Sequence, residues 1–203
     1  MPTLVAMADT HGYHRDLTVP DGDILVHAGD LTQTGSLEEL AEVDAFLAAL
    51  PHRHKIVVAG NHDWCFQRTP ERARSVLRSA IYLEDEAITL EGLRIYGSPW
   101  QPWFLDWAFN LQRGPELADK WAQIPDDTEV LITHGPPRGI GDRTRRGEHV
   151  GCDDLLERVR VVRPRLHVFG HIHEDGGVWQ EAETRFVNAT TAECESGPVV
   201  IEL

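Results

Sequence analysis

The sequence has little that would place it in a disulfide-stapled or membrane-bound class. Its three cysteines, Cys65, Cys152 and Cys194, are odd in number and far apart, which argues against a disulfide framework and favours a reducing compartment. No apolar run approaches the roughly 18 residues that a membrane-spanning helix needs. Residues 1–6 lack the basic start and apolar stretch of a secretory signal and instead predict a first strand. We therefore expect a cytoplasmic protein with no membrane partner.

Positive charge is also scarce. Lys and Arg number 19 against 33 Asp and Glu, which gives a formal net charge of −14. Binding to a nucleic-acid polymer depends on clustered Lys and Arg, so we expect no such partner. A small phosphorylated substrate remains compatible, because the charge of a binding site is local and bound metal ions can reverse it. The sequence leaves the oligomeric state open.

Length and composition indicate a globular protein. With 203 residues, of which 41% are hydrophobic and 26% charged, the chain predicts one domain over residues 1–203. Short apolar runs alternate with segments of helical periodicity, and continuous runs of this length are typical of strands buried on both faces. The five predicted strands cover residues 4–8, 24–28, 55–59, 129–133 and 166–169.

The clearest helix is predicted from Ser36 to Leu50, and Pro51 terminates it. Ser36 and Glu39 form a capping box, and apolar residues recur at helical spacing up to Leu50. Further helices are predicted over residues 69–79, 115–123 and 152–161. A hairpin is predicted at residues 87–96, turning at Glu91-Gly92, and more strands between residues 178 and 203. The sum is a layered α/β fold.

Five polar clusters follow predicted strands, at the edge where open α/β sheets place their ligands. They are Asp9-Thr10-His11, Gly29-Asp30, Gly60-Asn61-His62-Asp63, Thr133-His134-Gly135 and Gly170-His171-Ile172-His173. Carboxylate, amide and imidazole groups suit hard or borderline divalent ions, and a shared carboxylate can seat two ions roughly 3.5–4 Å apart. We predict Asp30 as that bridge. Since no cysteine belongs to the set, a structural zinc site is disfavoured.

These clusters, in this order, resemble the motifs of the calcineurin-like metallophosphoesterases, and they span most of the chain from Asp9 to His173. Two further stretches, residues 96–103 and 131–137, resemble the metallophosphoesterase-domain-containing branch, which includes vertebrate brain members and bacterial homologues and is linked to cyclic-nucleotide phosphodiesterase activity. The resemblance implies an α/β fold built as a four-layer α/β/β/α sandwich, with two mixed sheets flanked by helices.

The resemblance also assigns roles to residues. It implies two divalent or trivalent ions, Mn, Fe or Zn, of which the first is bound by Asp9, His11, Asp30 and His173. The second is bound by Asp30, Asn61, His134 and His171. His62 would be the acid or transition-state stabiliser, and Asp63 would orient His62 or its loop.

The implied activity is that of a metal-dependent phosphoric ester hydrolase. Its substrates would be small phosphodiesters, cyclic nucleotides among them, or phosphomonoesters, attacked by a hydroxide that bridges the ions. Two carboxylates and two divalent ions leave the site near +2, which suits a phosphate. Two alternatives stay open, namely a non-catalytic metal-binding interaction module of the same fold and a nuclease.

Several other residues have more than one interpretation. The aromatic side chains between Ser98 and Asn110 either stack on a base or aromatic leaving group, or pack as a loop or dimer contact. The arginines of the 138–146 segment, Arg138, Arg143, Arg145 and Arg146, either bind a phosphate or are solvated. We interpret Cys65 as a small buried hydrophobe and His27, His52, His54 and His167 as structural.

Overall fold

The computed structural model describes residues 2–203, so that Met1, the first residue of the predicted N-terminal strand, lies outside it. The strands are β1 Thr3–Met7, β2 Ile24–Ala28, β3 His54–Val58, β4 Ile81–Tyr82, β5 Glu86–Leu90, β6 Leu93–Ser98, β7 Gln101–Pro102, β8 Asn110–Leu111, β9 Val130–Thr133, β10 Leu166–Phe169, β11 Gly177–Glu181, β12 Thr184–Asn188 and β13 Val199–Glu202. The α-helices are α1 Leu37–Ala49, α2 Trp64–Arg68, α3 Pro70–Val76, α4 Pro115–Trp121 and α5 Asp153–Val162. Short 3₁₀ turns cover His14–Asp16 and His173–Asp175.

Two mixed sheets form the centre of the fold. The first sheet has the order β13-β1-β2-β3-β4, with β1 to β4 parallel and β13 antiparallel to β1. The second has the order β11-β12-β10-β9-β6-β5, with parallel pairing from β12 to β6 and antiparallel strands at both edges. Parallel neighbours align their carboxyl ends, so each sheet delivers its loops to one edge.

Three separate apolar cores define the layers. Side chains alternate along each strand, so β2 buries Ile24 and Val26 between the sheets, whereas Leu25 faces α1. On the other side, Leu131 of β9 packs against α4 and α5. The order is therefore helices, first sheet, second sheet, helices, which confirms the expected α/β/β/α sandwich.

Helix α1 begins where its sequence predicts. The Ser36 side chain accepts a hydrogen bond from the Glu39 N–H at 3.1 Å, and the Glu39 carboxylate accepts one from the Ser36 N–H at 3.0 Å. This reciprocal pair satisfies two backbone donors of the first turn. Leu40, Val43 and Leu47 are buried against the first sheet.

The sequence-based assignment missed some short elements. The helix predicted over residues 69–79 ends at Val76 in the structure, and the preceding helix α2 was not expected. The two-residue strands β4, β7 and β8 were also missed, because so short a segment carries no measurable periodicity. No helix in the described part of the chain is long and apolar enough to cross a membrane.

Candidate metal centre

The loops after β1, β2, β3, β9 and β10 converge on one cleft between the carboxyl ends of the two sheets. The cleft encloses about 360 Å³. Its lining includes six of the residues predicted from the sequence, namely His11, Asp30, Asn61, His62, His171 and His173. The remaining predicted ligands, Asp9 and His134, are fully buried behind this surface. All the predicted ligand residues therefore meet in one place; their roles as ligands stay predictions.

Asp30 lies at the middle of the cluster. Its Oδ2 is 3.6 Å from His11 Nε2 on one side and 3.5 Å from His134 Nε2 on the other. Its Oδ1 accepts a hydrogen bond from the His62 N–H at 2.8 Å. A Cβ at Gly60 would lie 2.3 Å from Asp30 Oδ1, so only glycine lets the two loops approach so closely.

The first group of donors comprises Asp9, His11 and His173, whose candidate ligand atoms all lie within 4.8 Å of one another. His173 Nε2 is 3.3 Å from His11 Nε2 and 3.9 Å from Asp9 Oδ1. The backbone N–H of His171 donates to both carboxylate oxygens of Asp9, at 3.0 and 3.1 Å. This bond fixes Asp9 and joins the first loop of the chain to the last ligand loop.

The second group comprises Asp30, His134 and His171, with Asn61 beside it. Asn61 Oδ1 lies 2.9 Å from His134 Nε2. His134 Nδ1 donates to the Ala28 carbonyl at 3.0 Å, which directs Nε2 toward Asp30 and Asn61 in the way that an outer partner orients an imidazole ligand.

Burial and mutual charge set the protonation of the cleft. Burial raises the pKa of Asp9. Burial acts on Asp30 in the same direction, but the charge of His134 overcomes it and holds the Asp30 pKa below its ordinary value. Burial opposes a charged His134, yet the Asp30 carboxylate raises the His134 pKa to about 9. Burial, with the His134 charge, lowers the pKa of His171 to about 3.

The donor set fits divalent metal ions. Two buried carboxylates, one amide oxygen and four imidazoles are hard or borderline ligands, and the described residues place no thiol among them. His11 and His173 bring two ring nitrogens within 3.3 Å, a convergence that a shared cation stabilises. Asp30 belongs to the second group, and with His11 and His62 it forms a further set whose candidate ligand atoms lie within 4.8 Å of one another. It therefore lies between the two groups, as a bridging carboxylate must.

His62 stands at the cleft beside these groups. Its Nδ1 donates to the Gln33 carbonyl at 2.8 Å, which leaves Nε2 as the nitrogen available to a ligand. Trp107 stacks on its ring, with centroids 4.3 Å apart and an interplanar angle of 24°. Sequence reasoning identified neither Gln33 nor Trp107 as a partner of His62, since both contacts depend on tertiary structure.

Asp63 anchors loops rather than the His62 ring. It is fully buried and accepts hydrogen bonds from the backbone N–H groups of Gly60, Leu31 and Thr32 and from the Thr32 hydroxyl. Burial, with the Asp30 charge, raises its pKa to about 6. Within residues 2–203 it makes no hydrogen bond to the His62 imidazole, so its place fits the second of its two expected roles, the orientation of the loop.

Asn188 is a buried partner of the site to which the sequence assigned no role. Its Nδ2 donates to the carbonyls of Gly141, Ile172 and Asp175 at 2.9 to 3.0 Å. Ile172 lies between His171 and His173, so Asn188 fixes the loop that carries both. A lone asparagine near the end of the chain gives no signal of such a role before the fold is known.

The aromatic stretch between Ser98 and Asn110 and the arginines of the 138–146 segment each contain residues in different environments. Trp100 and Phe109 pack against each other in the interior, whereas Trp103 and Phe104 are 57% and 56% exposed. Of the four arginines, Arg145 is the one that lines the cleft in the described part of the chain. Cys65 is buried, and burial raises the pKa of its thiol to about 12, which confirms its interpretation as a small hydrophobe.

Fold and site together define an α/β protein that gathers Asp, Asn and His donors between two sheets, a donor set suited to phosphoester chemistry. A family model described as calcineurin-like phosphoesterase matches residues 2–175. The chain is 42% identical to human metallophosphoesterase domain-containing protein 1, over 98% of this chain and 70% of the relative. The chain belongs to the calcineurin-like phosphoesterase family, whose members use divalent metals and hydrolyse phosphoesters.

Solved structures agree with the fold. The protein TT1561 of Thermus thermophilus superposes with a TM-score of 0.66 at 12% identity, over 99% of this chain and 98% of that one. A structure described as a novel archaeal phosphodiesterase matches with a TM-score of 0.50 at 14% identity, over 99% of each chain. At these identities the likeness concerns the fold alone.

Proposed function

We propose that this protein hydrolyses small phosphoesters, phosphodiesters or phosphomonoesters, with the help of two divalent metal ions. The observation that carries the proposal is the position of Asp30, whose Oδ2 lies about equally far from His11 and His134. Asp9, His11 and His173 stand on one side of it, and Asn61, His134 and His171 on the other. Family membership supports the hydrolase class.

The residues of this chain divide the work of phosphoryl transfer. Bound in this cleft, two divalent ions would lower the pKa of water and neutralise phosphate charge. The Asp, Asn and His groups would hold these ions in fixed positions beside the phosphate. His62 Nδ1 is held by the Gln33 carbonyl, so that its other nitrogen is free to donate a proton or hydrogen bond to the departing oxygen, a form of acid help typically worth about 10²–10⁴-fold.

The rim of the cleft favours a small substrate. Arg145 is the cationic side chain of its lining, and Glu174 and Glu193 stand beside it. A chain with a net charge of −14 repels an extended polyanion unless a basic stripe compensates. Cyclic nucleotides are among the small phosphodiesters that we propose, through the resemblance of residues 96–103 and 131–137 to the metallophosphoesterase-domain-containing branch. We further propose a single metallophosphoesterase domain over residues 1–203, since one cleft joins both sheets. We also propose a cytoplasmic location.

A metal-defined sample tests this proposal. The protein is stripped with a chelator, reloaded separately with Mn²⁺, Fe²⁺ or Zn²⁺, and assayed with bis(p-nitrophenyl) phosphate and p-nitrophenyl phosphate. We expect two ions per chain and turnover with at least one metal. Absence of turnover with every metal would support the interaction module instead, and degradation of single-stranded DNA would support the nuclease.

The variant His62→Ala separates chemistry from metal binding. We expect it to keep both ions and to lose about 10²–10⁴-fold in kcat, because its imidazole faces the cleft without belonging to either predicted ligand group. An unchanged kcat would remove His62 from the reaction. Loss of metal together with activity would instead make His62 part of the metal site.

A further inference from the structure

Trp107 is held against the loop that carries His62. The N–H of the next residue, Ala108, donates to the carbonyl of Asn61 at 3.2 Å, and Ala108 is fully buried. Asn61 immediately precedes His62, so the main chain joins the two sides of the contact directly. Trp107 and His62 both line the metal cleft, the cavity of about 360 Å³ between the two sheets.

The next part of the same segment is anchored as well. The Phe109 N–H donates to Gln67 Oε1 of α2 at 3.2 Å, and the Phe109 carbonyl accepts a hydrogen bond from the Gln101 N–H at 3.1 Å. Phe109 is fully buried. Helix α2 begins two residues after His62, so the segment that carries Trp107 and the segment that carries His62 are connected at two places.

Three contacts restrain the His62 imidazole. Its Nδ1 donates to the Gln33 carbonyl at 2.8 Å, and the Trp107 ring stacks on it with centroids 4.3 Å apart and an interplanar angle of 24°. The His11 ring lies nearly perpendicular to it, at 79° and 4.4 Å. A hydrogen bond to one nitrogen fixes that atom but still lets the ring tilt about it, whereas stacking fixes the plane of the ring.

The plane of the ring decides where Nε2 points. The proton or hydrogen bond that His62 gives to a departing oxygen is useful only when this nitrogen is correctly placed, and a misplacement of about 1 Å can cost about 10²-fold in rate. Asp63 anchors the loop, and the Gln33 contact comes from the main chain. Trp107 is therefore a side chain whose removal tests the placement of the ring by itself.

From these observations we propose that Trp107 is a positioning residue for His62. Its indole ring holds the imidazole in the plane from which Nε2 reaches the departing oxygen, and Trp107 itself takes no part in the chemistry. The inference rests on the proposed function, because His62 acts there on the leaving group of a phosphoester. It gives one member of the aromatic stretch between Ser98 and Asn110 a role that neither packing nor substrate stacking describes.

Steady-state kinetics of the Mn²⁺-loaded protein test this role. With diphenyl phosphate, whose phenolate leaves poorly and needs acid help, Trp107→Leu should lower kcat about tenfold, the size that one aromatic pair allows, and leave KM unchanged. With bis(p-nitrophenyl) phosphate, whose leaving group is better, the loss should be smaller. Trp107→Phe keeps a ring over the imidazole and should restore most of kcat.

The His62→Ala background shows whether Trp107 acts through the imidazole. In that background Trp107→Leu should cost nothing further in kcat. Trp103→Leu is the matched control, because it truncates a tryptophan of the same stretch that is 57% exposed and lines a second cavity beside the metal cleft. Its effect on kcat, of whatever size, should be the same with and without the His62 imidazole.

Nuclear magnetic resonance gives a readout that needs no turnover. In the metal-free protein, the ring current of the stacked indole should displace the His62 Cε1–H and Cδ2–H signals upfield, and His62→Ala identifies these signals by their loss. Trp107→Leu should remove the displacement and lower the order parameter of the Cε1–H bond. Trp107→Phe should retain most of both.

The outcomes separate this inference from the proposed function. An unchanged kcat in Trp107→Leu, a rise in KM alone, an additive loss in the double variant, or His62 signals that do not respond each overturn the positioning role and leave phosphoester hydrolysis standing. If the wild type shows no turnover with any metal while the His62 signals respond as expected, the ordering of the imidazole by Trp107 stands and the proposed function fails.

Discussion

Among the predicted ligands, both carboxylates, Asp9 and Asp30, lie in loops of the first sheet, whereas the loops of the second sheet contribute imidazoles, from His134, His171 and His173. The first sheet also holds more of its donors in left-handed backbone, with φ of 56° at Asp9, 43° at His11 and 54° at Asp30. Among the donors from the second sheet, His171 has left-handed backbone, with a φ of 71°. The first sheet therefore supplies the negative charge of the predicted ligands and most of the ligand residues in left-handed backbone.

The two contributions depend on each other through hydrogen bonds across the sheets. His134 of the second sheet donates to the Ala28 carbonyl of the first, and the His171 N–H donates to Asp9. The Asp30 carboxylate raises the His134 pKa to about 9. In the absence of a cation, a protonated His134 from the second sheet therefore balances the negative charge of Asp30 from the first. A bound cation must displace that proton, because a metal-binding imidazole nitrogen is unprotonated.

The largest effect should come from removing charge on the first sheet. Asp30→Asn neutralises the carboxylate that lies between the two donor groups and within reach of both His11 and His134. We expect it to lose both ions and at least about 10³-fold in kcat/KM, since bound ions supply several kcal/mol. His134→Gln removes a neutral donor from one cluster only and should retain one ion. Metal analysis per chain and steady-state kinetics measure both.

Glu42→Gln is the control for this pair, because it removes one carboxylate from an exposed position on α1. It should keep two ions and wild-type kcat/KM. If Asp30→Asn kept two ions, or if His134→Gln lost as many as Asp30→Asn, the division between a charged sheet and a neutral sheet would be wrong.

A smaller effect should follow from loosening the second sheet's ligand loop without touching a ligand. Asn188→Leu removes the side-chain donor that the carbonyls of Gly141, Ile172 and Asp175 share; of these, the Ile172 carbonyl keeps the Asp175 N–H as a donor. We expect metal affinity to fall about 10–100-fold, as for other partners of ligand groups, and the free energy of unfolding to fall by about 2 kcal/mol. Calorimetric titration with Mn²⁺ and urea denaturation of the metal-free protein check the two values.

Asn110→Ala is the matched control for Asn188. Asn110 also donates to two backbone carbonyls, but the segment that it holds carries no predicted ligand. Its loss should leave Mn²⁺ affinity unchanged. An Asn188→Leu variant with normal Mn²⁺ affinity would show that the His171–His173 loop holds its geometry without the asparagine.

Local features of the sequence predicted much of the molecule. The five central strands were predicted to within a residue at each end, because strands buried on both faces are continuous apolar runs. The capping box fixed the start of α1, and the polar clusters at strand ends indicated a metal site. The four-layer arrangement came from family resemblance, since periodicity does not report which sheet faces which.

Other features depend on contacts between distant parts of the chain. Asn188 meets Gly141 across 47 residues, and Trp107 stacks on His62 across 45. Neither the residue spacing nor the composition of the sequence identifies Asn188 or Trp107 as a partner of the site. The second cavity is likewise assembled from separate segments, so the aromatic stretch between Ser98 and Asn110 could not be divided into core and cleft residues before the fold was known.

The last prediction concerns an acid-sensitive feature that both sheets share and that leaves the metal cleft unaltered. His27 on β2 and His167 on β10 are buried, and their Nε2 atoms lie 3.0 and 2.9 Å from the hydroxyls of Thr10 and Thr133. Each hydroxyl gives its own hydrogen to a carbonyl, of Leu31 or Gly135, so each imidazole donates from Nε2. Nδ1 of each ring is buried and has no hydrogen-bond partner among the described residues, so a second proton there would be unsatisfied and the neutral ring is favoured. Burial lowers the pKa of both histidines to about 3, from an ordinary value of 6.5 in the unfolded chain.

Between pH 3 and 6.5 the unfolded chain therefore binds more protons at these positions than the folded one, and stability must fall as the pH drops through this window. From about pH 7 to about pH 5, each histidine should account for about 2 kcal/mol of the loss.

His27→Gln and His167→Gln should each reduce the loss by that amount, whatever their stability at neutral pH, in urea denaturation of metal-free protein. Thr133→Val removes the hydroxyl but keeps the buried imidazole, so it should retain the full acid sensitivity. If only one of the two glutamine variants changes the slope, the two sheets do not share this device and the comparison holds for the metal ligands alone.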